Sequence, residues 1–139
     1  MRLWHKDLIP VLPKQQLLGQ WRECCLIAKN ISEKGFPNHL LVNKIMDYPL
    51  SHFCSYSKLI ALEMVKRGYD CDFEKFVDYF PFQNYHEPND VIFFKWHTHR
   101  YLKQCFYNLQ EKYDCGGISK EDFEKIKTIC CIDKKGDKL

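Results

Sequence analysis

The sequence predicts an all-α fold: a single, mainly helical domain with about five or six helices and little or no sheet. Three observations predict it. Apolar residues recur at three- and four-residue spacings through most of the chain, most clearly in residues 13–29, PKQQLLGQWRECCLIAK. Prolines and glycines stand where helices would begin and stop. Only residues 91–96, VIFFKW, read as a strand, and they read equally well as the start of a helix.

Taken in order, residues 1–12 form a short apolar lead with Trp4, Leu8, Ile9 and Leu12, broken by Pro10. Pro13 suits the first turn of the next helix, where a missing N–H costs nothing. In that helix Leu17, Leu18, Trp21, Cys24, Cys25 and Ala28 make an apolar stripe. Gln16, Gln20 and Glu23 share another face, and Gln15 and Arg22 a neighbouring one. The helix fades over residues 30–37, where Gly35 and Pro37 mark a loop. Asn38 is a candidate cap for a second helix over residues 39–47, with Leu40, Leu41, Ile45 and Val42 facing inward. A third runs over residues 50–67, stopped by Gly68. Asp72 caps a fourth over residues 72–80, with Phe73, Phe76, Val77 and Phe80 on one side and Pro81 at its end. Residues 83–90 are a polar loop. Residues 97–113 are helical by the spacing of Tyr101, Leu102, Cys105, Phe106 and Leu109. A Cys115-Gly116-Gly117 turn follows, and Ser119 with Asp122 forms a variant capping box for the last helix, residues 118–131. The predicted domain covers residues 1–132, and residues 133–139 are a solvated tail.

Composition narrows the function classes. At 139 residues the chain can bury roughly two-thirds of its unfolded surface, enough for a real core. A net charge of +3 permits nucleic-acid binding without demanding it. No long apolar run supports a membrane span, and no secretory leader is legible, so a cytoplasmic, monomeric protein is expected. The eight cysteines then read as reduced, buried, small hydrophobes. A zinc or thiol protein is the alternative, weakened by the absence of any CxxC pair. His97 and His99 read as one packed and one exposed rather than as metal ligands, and no metal or other cofactor is expected. On spacing alone residues 13–29 are a core helix with a polar outer face, and Glu23 beside Arg22 is a surface ion pair.

The opening MRLWHKDLIPVLPKQQLLGQWREC resembles the start of the pyrimidine-dimer DNA glycosylase family, the phage-type endonuclease V enzymes. The resemblance lies in the triplet Trp21-Arg22-Glu23 close behind the chain start, in Gln15, and in LIALEMVKRG at residues 59–68. HRYLKQCFYNL and Gly116-Gly117 resemble the family's bacterial and archaeal branch. The resemblance implies a helical enzyme that removes a base and then cleaves the strand. Its nucleophile would be the N-terminal α-amine, acting on double-stranded DNA with damaged bases or abasic sites. An ordinary α-amine leaves about a tenth of itself neutral at pH 7, far more than a lysine does. Arg2 is large, so Met1 is expected to be retained and to supply the amine; its removal would pass that role to Arg2. Glu23 would act as acid and base, and Arg2, Gln15, Gln16 and Arg22 would hold phosphates or the extruded nucleotide. Leu26 and the tail CIDKKGDKL depart from the phage-type pattern of basic and aromatic residues. A non-catalytic helical module that binds nucleic acid or protein is the further alternative.

Overall fold

The computed structural model describes residues 1–130. Among them the regular structure is five α-helices and three short 3-10 turns, with no strand. Helix α1 spans Lys14–Lys34, with Pro13 at its N-cap. It runs past residue 29 because Ile27 and Ile31 continue the buried stripe. Gly35 then stops it at a left-handed φ of 88°, its N–H bonded to the Ile31 carbonyl at 2.9 Å.

The second helix expected over residues 39–47 is not formed. Asn38 adopts a left-handed φ of 62°, and only a 3-10 turn at Asn43–Asp47 follows. The cause is local competition: Asn43 Oδ1 accepts the His39 N–H at 3.1 Å, and His39 Nδ1 accepts the Leu41 N–H at 3.3 Å. Val42 and Ile45 turn inward as expected, but Leu40 and Leu41 point to solvent.

Helix α2, Leu50–Lys66, buries Phe53, Tyr56, Ile60 and Met64. It ends at Gly68, φ 82°, where the Tyr69 N–H reaches back to the Met64 carbonyl at 2.9 Å. Helix α3 is a single turn, Glu74–Val77, shorter than the predicted 72–80, and no side chain caps it. Phe76 and Phe80 are buried there, while Phe73 stays partly exposed against the edge of Trp21. Aromatic packing rather than helix length fixes this stretch: Phe76 lies against Trp21, Phe53, Phe80 and Phe82.

Residues 91–96 are neither strand nor helix. Phe93 sits at a left-handed φ of 54° and reverses the chain, with its N–H given to His52 Nδ1 at 3.1 Å. Helix α4 follows at His99–Asp114, capped by Thr98, whose Oγ1 accepts the Tyr101 N–H at 3.3 Å. Helix α5, Lys120–Cys130, begins on the predicted cap, Ser119 Oγ accepting the Asp122 N–H at 3.1 Å. Phe123 stacks on Tyr113 at 4.2 Å and on Phe106 at 5.6 Å, so α4 and α5 close as a hairpin. Helix α1 packs on α2 and α3, and the 3-10 turn Lys6–Val11 packs on both α2 and α5. The first dozen residues are thereby internal: Leu3, Leu8 and Leu12 are fully buried. The predicted tail, residues 133–139, lies outside the described residues, as does Cys131. Among the described residues no helix is long and apolar enough to cross a membrane.

Candidate functional site

Residues 1–5 belong to no helix or sheet, so their buried backbone groups must find partners elsewhere. Side chains supply them. Gln20 of α1 accepts the Trp4 N–H at Oε1 (2.7 Å) and donates from Nε2 to the Arg2 carbonyl (2.9 Å). An amide N–H can only donate and a carbonyl only accept, so these two contacts fix the orientation of the side chain. Tyr56 of α2 donates to the Trp4 carbonyl at 2.6 Å, with Gln20 Oε1 also 3.0 Å from its hydroxyl. Tyr101 of α4 donates to the Leu3 carbonyl at 2.6 Å. His97 Nδ1 accepts the Lys6 N–H at 2.9 Å. At the far end of the segment the Arg67 guanidinium, braced by Glu63 at 2.7 Å, donates to the carbonyls of Leu12, Ile9 and Pro10 at 2.7–3.2 Å.

The same Gln20 amide reaches Glu23 Oε1 at 3.4 Å, a long bond. One side chain therefore touches both the backbone of Arg2 and the carboxylate of Glu23. Gln20 was expected on a polar face with Gln16 and Glu23, but it is buried; the folded-back N-terminal segment covers it. Glu23 and Met1 are half-buried. Arg2 is half-buried too, its guanidinium 5.5 Å from the Trp4 ring centre.

The remaining predicted site residues do not all converge. Gln15 is exposed, and Gln16 is half-buried with Oε1 shielded from solvent and unpaired. Arg22 is exposed and lines a hollow with Trp21, Asp70, Asp72 and Lys75. Arg2 lines a different hollow of about 450 Å³ with Leu40, Leu41, Lys44, Gln104 and Asn108. A larger cavity of about 890 Å³ adjoins that one through Lys44 and Trp96, and Tyr48, His52, Tyr85 and Phe94 are among the residues lining it.

Burial sets the protonation states around the segment. It pushes His97 down to about 2, with His5 and Lys6 adding to the effect, so the ring is neutral and Nδ1 is free to accept. It raises Tyr56 and Tyr101 well above their ordinary range, so both remain hydroxyl donors. His97 is the packed histidine and His99 the exposed one, as the sequence predicts. Burial also raises Cys25, Cys54 and Cys71 to about 11, which leaves them thiols rather than thiolate nucleophiles. Among the described residues no three His, Cys, Asp or Glu side chains come together as a metal site.

Gln20, Tyr56, Tyr101 and Arg67 hold the segment, and sequence reasoning assigned none of them that role. Tyr101 fits the helical spacing of residues 97–113 and reads as packing, and Tyr56 lies within the predicted helix over residues 50–67. Arg67 lay in a stretch singled out for its resemblance, and Gln20 among the polar residues of α1.

A family model described as pyrimidine dimer DNA glycosylase matches residues 1–76. The match contains the N-terminal segment, Gln20, Glu23, Tyr56 and Arg67. No curated protein and no solved structure matches the chain.

Proposed function

The chain belongs to the pyrimidine dimer DNA glycosylase family, and on that premise we propose that it excises a damaged pyrimidine from double-stranded DNA and then cuts the strand, with its N-terminal α-amine as nucleophile. The amine nitrogen of Met1 attacks C1′ of the damaged nucleotide. The C1′–N bond breaks and the base leaves, taking a proton. The sugar ring opens to an iminium at C1′. Loss of a C2′ proton then expels the 3′ phosphate by β-elimination. Glu23 stabilises the cationic sugar and takes the C2′ proton. Arg2, Gln15, Gln16 and Arg22 hold phosphates or the extruded nucleotide, whose displacement from the stack is least costly at a lesion.

One observation carries this reading: the Gln20 amide ties the Arg2 carbonyl and the Glu23 carboxylate to a single group. That puts the head of the chain and an acidic side chain in one neighbourhood, which amine-based base excision requires.

The test is borohydride trapping on duplex DNA holding an abasic site, with protein that starts at its own Met1. A covalent adduct is expected. It should vanish after N-terminal acetylation, and strand cleavage of the same DNA should fall at least a hundredfold in rate in Glu23→Gln, a loss on the scale of removing a general base. No adduct from the unmodified protein overturns the proposal. Intact mass decides whether Met1 is present or the amine is that of Arg2. Binding should weaken steeply with salt, as phosphate contacts require.

A further inference from the structure

Leu40 is the most exposed large apolar side chain among the described residues, at 85%, and its neighbour Leu41 is 49% exposed. They do not belong to a floppy excursion. The backbone is held on both sides of them. His39 donates its N–H to Asn43 Oδ1, and the His39 carbonyl accepts the N–H groups of Val42 and Asn43 at 3.0 and 2.9 Å. Val42 and Ile45 are fully buried and anchor the turn. Asn30 Nδ2 fixes its entry by donating to the Pro37 carbonyl at 3.0 Å. Asn38 takes a left-handed backbone to make the bend. The fold thus specifies a turn whose outcome is two leucines in water, at a hydrophobic cost that only a partner would remove.

Their surroundings indicate the partner. Both leucines line the hollow that also holds Arg2, next to the proposed nucleophile. Lys44 adds a second cation, Gln104 and Asn108 add amides one turn apart on α4, and among the described residues no acidic side chain lines the hollow. Cations and amides match a phosphate backbone and base edges; a protruding apolar pair among them matches the faces of stacked bases. We propose that Leu40 and Leu41 act as a wedge that enters the base stack of the duplex beside the reacting nucleotide and holds the gap open while the amine works. This deepens the repair reading above and rests on it. The leucines are positioning residues; they take no part in bond making.

Trapping on two substrates separates the possibilities: abasic-site DNA as a duplex, where a stack must be opened, and as a single strand, where it need not. Leu40→Ala/Leu41→Ala is expected to lower the trapping rate on the duplex about tenfold or more, since unstacking a step costs a few kcal/mol, and to leave the single-strand rate within about twofold. 2-Aminopurine placed beside the abasic site should brighten with the native protein and not with the double variant. Leu40→Met/Leu41→Met should restore both signals, and Leu62→Ala, an exposed leucine on α2, should change neither. Equal rates for native and double variant on the duplex overturn the wedge, and so does an equal fall on both substrates. Loss of binding to phosphatidylserine vesicles with duplex trapping unchanged also overturns it, in favour of a membrane surface. Absence of any adduct from the native protein on either substrate overturns the repair reading itself.

Discussion

Residues 1–12 and residues 38–47 are both stretches without an α-helix, and they are held in opposite ways. The first makes its own bonds only in the 3-10 turn Lys6–Val11 and at its caps. Its backbone is gripped by Gln20, Tyr56, Arg67, His97 and Tyr101, side chains from distant parts of the chain. The second grips itself, through His39 and Asn43, within a handful of residues. The difference teaches where precision comes from. A segment held from outside can be buried, and its position is set to the accuracy of the whole bundle. A segment held from within can be rigid and still protrude. The proposed mechanism uses both: a nucleophile that is fixed, and a pair of side chains that reaches into the duplex.

The sharpest way to break this comparison is Gln20→Leu. It is close in size but leaves the Trp4 N–H and the Arg2 carbonyl buried without partners, so a loss of roughly 3–5 kcal/mol is expected in denaturant unfolding. Trapping should fall with it even at temperatures where the variant remains folded. A native-like trapping rate in a folded Gln20→Leu protein would show that the clasp does not place the amine.

Acid gives the next largest effect. His97 is held neutral down to about pH 2 in the folded state, whereas in the unfolded chain it takes a proton near pH 6.5. Between those values the unfolded state binds the extra proton, so stability is intact above about 6.5 and falls as pH drops below it. One such histidine removes about 1.4 kcal/mol per pH unit, or about 2 kcal/mol by pH 5. Burial lowers His5 and His52 in the same direction. Urea unfolding at pH 7 and pH 5 measures the slope. His97→Asn, which removes the titration, should flatten it.

Asn43→Ala sharpens the comparison from the other side. It deletes the acceptor for the His39 N–H in a half-buried turn and should cost only about 1 kcal/mol by thermal melting. Because that turn is self-contained, trapping on single-stranded abasic DNA should not change. A fall there would mean the two regions are coupled.

The same contrast explains what could be read from the sequence. The residues of α1, α4 and α5, the Ser119 cap and the stops at Gly68 and Gly116 were legible because their causes lie within one or two turns of the effect. The buried positions of residues 72–80 were legible at Phe76 and Phe80, but the extent of helix was not, since ring packing overrode it. The 38–47 turn was misread because Leu40 and Leu41 have a spacing that fits an inward face, while Asn38 and Asn43 impose a different backbone. At the candidate site, Glu23 is proposed from family resemblance and not from periodicity. The burial of Gln20 was invisible, because its cause is a segment sixteen residues away folding back across it.

The clasp also dictates the order in which the molecule comes together. The hydroxyl that seats Leu3 is carried by a residue 98 positions downstream, and the ring that receives the Lys6 N–H by one 91 positions downstream. Pairings so remote in sequence are slow to form. Residues 3 and 6 must therefore wait for α4 before they can settle, and a chain that lacks α4 leaves this segment without two of the groups that hold it.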